Sequence, residues 1–347
     1  MLVVFVLGYV AIALEHPIKV DKAASALIIG ALGWALFAFS GMEAHHISEE
    51  LKHHLVDIAE ILFFLLGAMT IVELIDVHEG FSVITDKIAT RHRVKLMWIL
   101  CIITFFFSAV LDNLTTSIVM AALISKLIKD KNDLWMFAGM IIISANAGGA
   151  WSPIGDVTTI MLWIGGQVTA ASIIKAIIIP SIVCLIVPLT YISFKMKGEL
   201  APLTIDENNG SAFKVPSSER NLVFILGVAG LLFVPVFKTV THLPPYLGIL
   251  FSLGVLWLVT ELLHANKSSE IKSKLSVIAV IKKVDVATIF FFMGILLAVA
   301  SLQSMGHLDD MADILRNAFN GNVYAINIII GLLSAIVDNV PLVAGAM

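Results

Sequence analysis

A chain of 347 residues that is 59% hydrophobic and only 14% charged carries more apolar surface than a water-soluble fold can hide, since soluble domains run at about 45–50% apolar and about 25% charged. Its formal net charge of −4 offers nucleic acid no basic field, and no basic-aromatic motif accompanies it. The composition predicts an all-α polytopic membrane protein whose partner is the lipid bilayer, with no nucleic acid.

The first fourteen residues, MLVVFVLGYVAIAL, lack a basic leader and a cleavage site, so they read as a short or trimmed first span rather than a signal peptide. A second span is expected at 24–41. The stretch EAHHISEELKHHL then sets His45, His46, His53 and His54 in a loop on the outer side. Histidine titrates near neutral pH, so pH sensing, with His53 a candidate, or metal binding is one reading. The simpler one is a solvated amphipathic segment with Ser48 as its N-cap. The next span, 57–75, holds Glu60 near one end, a candidate for a proton path, and Glu73 near its cytoplasmic end.

The segment 96–128 contains FFFSAVLDNLTTS, in which Asp112 and Asn113 interrupt an apolar run. At about 1.5 Å per residue one straight helix would approach 50 Å, too long for a single crossing. Arg91, Arg93 and Lys95 precede it and Lys126, Lys129 and Lys131 follow it. Cytoplasmic loops carry the lysine and arginine excess, so both flanks belong inside and a re-entrant hairpin turning at Asp112 is predicted. A long, interrupted span follows at 134–165, with further spans at 172–194, 221–238, 243–262 and 285–303. The polar stretch 195–220, which contains TIDENNGS, is the cytoplasmic linker between a first half, 1–194, and a second, 221–347. Asp285 opens its span, either as a helix N-terminal charge or as part of a proton path. Cys101 and Cys184 sit in apolar runs and form neither a metal pattern nor a disulfide framework.

The segment 322–347 repeats the first motif as GLLSAIVDNVPLV. FFLLGAM at 63–69 also parallels IFFFMGIL at 289–296, so the spacing from Gly67 to Asp112 nearly equals that from Gly294 to Asp338. Five crossings separate the two D-N segments. The loops this makes cytoplasmic hold Lys195, Lys197, Lys214 and Arg220, then Lys267, Lys272, Lys274, Lys282 and Lys283; the outer loop 304–321 is mainly acidic. An odd number of crossings brings the second hairpin in from the opposite face. Such inverted repeats place the substrate site at the midplane, among broken helices of both halves.

An ionisable residue at membrane depth is costly and marks function. Asp112 and Asp338 each have an amide neighbour, Asn113 or Asn339, and a serine four residues earlier, Ser108 or Ser334; Thr115 and Thr116 add hydroxyls to the first tip. Carboxylate, amide and hydroxyl oxygens suit hard cations. Capping of the following half-helix is the structural alternative, and it can coexist with ion binding. A second constellation, SANAGGAWSPIGDVTT at 144–159, should break its helix at Gly148, Gly149, Pro153 and Gly155. That break brings Asn146, Ser152, Asp156, Thr158 and Thr159 toward the hairpin tip. Unwound backbone at that depth must line a cavity or pack in protein.

With these residues in hand, the chain resembles the NhaD-type sodium/proton antiporters of the ion transporter superfamily, which also holds arsenite exporters and dicarboxylate or citrate carriers. The match lies in SAVLDNLTT at 108–116, NAGGAWSPIGDVTT at 146–159 and SAIVDNVP at 334–341. The resemblance implies that Asp112, Asn113, Asn146, Asp156, Thr158, Thr159, Ser334, Asp338 and Asn339 line the ion site. It also implies a further broken helix beyond Met347, so the chain reads as a truncated form.

The function expected is exchange of Na⁺ or Li⁺ for protons by competition at midplane aspartates, with Na⁺ held at Asp112 and Asp156, no cofactor and no enzymatic chemistry. A bacterial cytoplasmic membrane is the expected location, pH homeostasis the expected role, and a homodimer is compatible with both. An anion carrier of the same superfamily is the alternative, although aspartates at both tips would repel a dicarboxylate. An intramembrane aspartyl protease is a remote third, because aspartates with amide neighbours in hairpin tips fit ion coordination better.

Overall fold

The computed structural model describes residues 1–85, 90–128, 130–200, 215–334 and 339–346. In chain order its helices are α1 Leu2–Ala13, α2 Glu15–Ile18, α3 Lys22–Ala38, α4 Ala44–Val77, α5 Ser82–Thr85, α6 Arg93–Leu111, α7 Asn113–Leu127, α8 Lys131–Ala150 and α9 Val157–Ile164. They continue as α10 Ala170–Lys195, α11 Ser217–Thr241, α12 Pro245–His264, α13 Ser269–Leu275, α14 Val277–Ile281, α15 Val286–Ser304, α16 His307–Ala318, α17 Val323–Ser334 and α18 Asn339–Ala346. Six of these (α4, α6, α10, α11, α12 and α15) are long and apolar enough to cross a bilayer. Among the described residues the single β-type pairing is an isolated bridge between His92 and Glu199. The chain is an all-helical, multi-pass membrane protein, as its composition predicts.

The described residues pack as two compact units, Met1–Leu65 with Asp285–Met347, and Leu66–Val284. In the first, α3 and α15 cross in close contact. A Cβ added to Gly30 would lie 2.6 Å from the Gly294 carbonyl oxygen, so the two backbones approach because neither residue has a side chain. Trp34 Nε1 donates to Leu297 O at 3.0 Å across the same contact, and Ala26 and Phe37 are fully buried there. The acidic stretch expected as an outer loop contains α16, with Asp309 and Asp310 in its first turn and Arg316 in its last, the charge order a helix dipole favours.

Helix α4 corrects two expectations. It begins at Ala44 and runs unbroken for 34 residues, about 51 Å at the standard rise. The four histidines therefore lie on a helix and not in a loop, and Ser48 sits inside that helix rather than capping it. Glu49 pairs with Lys52 at 2.9 Å, and Ile47 is buried against the Trp34–Phe37 cluster, so polar residues and the core support the helix alike. Glu60 is half-buried in the middle of α4. Glu73 lies 3.8 Å from Lys283.

In the second unit α6, α7 and α8 form a folded-back trio. Arg93 and Asp133, near the starts of α6 and α8, pair at 2.7 Å. Ser108 Oγ, near the end of α6, donates to Ala145 O, near the end of α8. The two helices therefore run parallel, and α7, which ends at Leu127 just before α8 begins at Lys131, must return between them. Leu96, Met97 and Leu100 of α6, Met120 and Ile124 of α7, and Phe137 and Met140 of α8 share one buried apolar cluster. The segment predicted to turn at Asp112 does so. The interrupted span 134–165 is realised as α8 and α9, with residues 151–156 between them.

Candidate functional site

One residue separates α6 from α7. Asp112 has φ +82° and ψ 157°, a region that only glycine enters freely, and such a conformation costs roughly 1–3 kcal/mol. Its carboxylate offsets part of that cost by capping α7. Oδ1 accepts from Thr115 N at 2.8 Å, and Oδ2 accepts from Thr115 Oγ1 at 2.7 Å. The backbone N–H of Thr116 bonds Asp112 O at 3.2 Å.

Asp156 plays the same part at the second break. It is the N-cap of α9 and is 7% exposed. Its Oδ1 accepts from Thr158 N at 2.8 Å and from Thr158 Oγ1, while Thr159 Oγ1 donates to Asp156 O at 2.9 Å. The two breaks are joined by Asn113. Its Nδ2 donates to Asn146 Oδ1 at 3.1 Å and to Asp156 Oδ2. Asn146, exposed on α8, steadies itself by donating from Nδ2 to Ile142 O at 2.8 Å. Ser152, also in the second break, accepts from Ile154 N at 3.3 Å.

Close packing holds the breaks together. A Cβ on Gly148 would collide with the backbone of Phe105, and one on Gly155 would lie 2.7 Å from Ser108 O. Gly148 thus acts as a helix-packing residue, and the break itself lies after α8, at 151–156. Thr116 shares a face of α7 with Asn113, three residues earlier. It is 1% exposed, and its Oγ1 has no hydrogen-bond partner among the described residues. A buried hydroxyl left without a partner costs about 1–3 kcal/mol, so this oxygen is a lone-pair donor held in the fold at some expense.

Of the residues predicted for the site, the fold gathers Asp112, Asn113, Thr115, Thr116, Asn146, Asp156, Thr158 and Thr159 around these two breaks. Ser334 ends α17 and Asn339 begins α18, both in the other compact unit, where α18 packs on α15; Asp338 lies outside the described residues. Asp285 caps α15 through Thr288 N at 3.2 Å and Thr288 Oγ1 at 2.6 Å, the helix-terminal role.

One polar pair had no signature in the sequence. His78 and His264 are 0% and 3% exposed and stack with ring centroids 5.1 Å apart. Their Nε2 atoms are 3.3 Å apart, and His78 Nδ1 lies 2.7 Å from Leu74 O. Burial holds the His78 pKa below its ordinary value, opposed by the Leu74 bond, lowered further by Lys267 and raised by Glu219. They are 186 residues apart, and neither stands in a recognisable motif.

A family model described as citrate transporter matches residues 9–347. Sodium/proton antiporter 1 of Arabidopsis thaliana is 42% identical over 347 residues, covering all of this chain and 59% of that relative. Sodium/proton antiporter 2 of the same plant is 41% identical over all of this chain and 82% of its own length. The Na(+)/H(+) antiporter NhaD of Alkalimonas amylolytica is 28% identical, over 97% of this chain and 74% of its own. The chain thus spans 59% of the length of the first of these and 82% of the second.

Proposed function

Because the chain belongs to the citrate-transporter family of membrane transporters, we propose that it is a secondary antiporter. It exchanges Na⁺ or Li⁺ for protons through competition at Asp112 and Asp156, with Asn113, Asn146 and the tip threonines as neutral oxygen ligands. The observation that carries this reading is the juxtaposition of two helix breaks, each capped by an aspartate, with Asn113 at the first break donating to the Asp156 carboxylate at the second. A carboxylate there holds either a proton or a cation, and exclusive occupancy suffices to couple the two fluxes. Desolvation leaves bare charge unfavourable, so the site passes between proton-loaded and cation-loaded forms: protonated in acid, cation-competent in alkali. The names of the antiporter relatives support Na⁺ and protons as the substrates.

The hairpin formed by α6 and α7 would enter from the cytoplasmic side without crossing. Its counterpart around Asp338, with Ser334 and Asn339, would enter from the opposite face as the second arm of an inverted repeat. Membrane crossings by the remaining long helices would complete the two halves.

The family description favours a second reading, a citrate carrier. A helix N-terminus attracts an anion through its free backbone N–H groups. Here Asp112 takes Thr115 N and Asp156 takes Thr158 N, so an arriving tricarboxylate would meet two carboxylates already in place. The caps themselves favour a cation.

The deciding experiment traps a pH-sensitive dye in proteoliposomes of the full chain, acidified inside. Addition of NaCl or LiCl should dequench the dye, and KCl or sodium-free citrate should not. Citrate-driven signal with no response to NaCl would establish the carrier reading instead.

A further inference from the structure

The first half of α4 places Glu50, His53, His54 and Asp57 at i, i+3, i+4 and i+7, the spacing that aligns side chains along one helix face. The ligand atoms of His53, His54 and Asp57 all lie within 4.8 Å of one another. His53 Nδ1 is 3.8 Å from Asp57 Oδ2, and His54 Nε2 is 3.9 Å from Glu50 Oε2. We propose that this face binds a divalent transition-metal ion of the zinc type, with His53, His54 and Asp57 as its ligands.

The chemistry of the donor set points to that class of ion. Imidazole nitrogens with a carboxylate suit zinc, nickel or copper, whereas magnesium and calcium prefer all-oxygen sites. Tetrahedral zinc at its usual bond lengths sets ligand atoms about 3.3 Å apart. Closing the present separations to that value needs side-chain rotation only, because His53 and Asp57 are exposed, at 78% and 65%. Three protein ligands leave the fourth position to water, the pattern of an open zinc site.

The least mobile of the three is His54. Its side chain is 16% exposed, and its ring lies 6.1 Å from that of Trp34. Its Nε2 is 3.1 Å from Ser304 Oγ, which in turn donates to Glu50 Oε2 at 3.3 Å. Ser304 closes α15, so the His54 ring is fixed by a neighbouring helix of the same compact unit, and Glu50 serves as an outer partner of the kind that orients a metal-binding histidine. His45 and His46 lie about two turns earlier on α4 and outside this cluster, which makes them the natural control.

The test is calorimetric titration of the detergent-purified full chain with zinc chloride near pH 7.5. One saturable site per chain is expected, since three protein ligands define a single open site. Losing an outer partner alone typically weakens a metal site about 10–100-fold. His53→Ala and Asp57→Asn, which remove ligands, should therefore each weaken zinc by at least about tenfold, while the double variant His45→Ala/His46→Ala should leave it unchanged. Both ligand side chains are exposed, so the melting temperature without zinc should not move, and zinc should raise it in the parent and the control but not in His53→Ala. Absence of a saturable site, zinc affinity that survives both ligand substitutions, or loss of affinity in the His45/His46 control would each overturn the proposal.

Discussion

Asn113 divides its Nδ2 hydrogens between Asn146 Oδ1, at 3.1 Å, and an Asp156 carboxylate oxygen, so one amide bridges two side-chain oxygens. On the proposed function, a cation that took those oxygens would have to displace that amide group. Rotation of Asn113 about its terminal torsion would withdraw the donor and present Oδ1 as a further ligand. The side chain would then serve as a stand-in for the ion in one state and a ligand in the other. Asn113→Ala removes both roles, and the apparent Na⁺ constant in dye-loaded proteoliposomes should rise by about tenfold, the effect of about 1.4 kcal/mol. An unchanged constant would place the ion elsewhere.

Asp112 combines a strained backbone with a capping carboxylate. Asp112→Asn keeps the cap, since an amide oxygen still accepts from Thr115 N, and it keeps the shape. It removes the charge and the titratable proton. Na⁺-dependent proton release should vanish while the melting temperature changes little. Near-normal exchange would move the proton carrier to Asp156 or Asp338.

Gly148→Ala tests the packing that holds the two breaks together. The added Cβ meets the Phe105 backbone rather than a flexible side chain, and overpacking of this kind typically costs about 1–3 kcal/mol. A lower melting temperature and reduced exchange should appear together. Gly139, where an added Cβ would meet nothing within 4 Å, provides the control, because Gly139→Ala should leave both intact.

Much of this arrangement was legible from residue types. Asp112 and Asp156 each precede threonines, and the N-cap preference for aspartate predicts a helix start at each. The arginines and lysines flanking 96–128 predict that the chain turns back. The helix at His45–His54 was legible only in part: an amphipathic segment capped at Ser48 is read from the sequence, but its start at Ala44 and its continuity with the next span rest on the inward-facing Ile47 and the Glu49–Lys52 pair. The Asn113–Asp156 link was also out of reach, since it depends on the register of α7 against the second break rather than on any local pattern. The His78–His264 pair joins residues too distant to suggest each other.

That histidine pair makes stability depend on pH. Burial lowers the His78 pKa in the folded protein below the ordinary 6.5, so in acid the unfolded chain takes up a proton that the folded chain refuses. Stability from this source is complete above about pH 6.5 and falls as pH drops toward the folded value. His78→Gln can still donate to Leu74 O but does not titrate. The parent should lose melting temperature between about pH 7 and pH 5.5, and the variant should lose less over the same interval. Parallel curves would show that the acid sensitivity arises at other groups.

The two copies of the motif differ in sequence in a way that, on the proposed function, would give their aspartates different work. The first reads D-N-L-T-T and the second D-N-V-P-L, so only the first has hydroxyls after the motif, and Pro341 removes a backbone donor from the second. Around the first tip, Asn113 donates to Asp156, and the Thr116 hydroxyl, partnerless among the described residues, belongs to the same helix. On the proposed function, a cation held there would sit off the pseudo-two-fold axis of the proposed repeat, and Asp338 would act as a second charge that tunes proton release. Asp156→Asn should therefore raise the apparent Na⁺ constant by more than about tenfold, whereas Asp338→Asn should shift the pH profile of exchange and leave Na⁺ affinity measurable. Apparent Na⁺ constants taken across a pH series for both variants separate the two effects. Equal affinity losses at Asp156 and Asp338, with no difference in pH profile, would mean that the ion lies on the axis and that the hydroxyls of the first tip do not direct it.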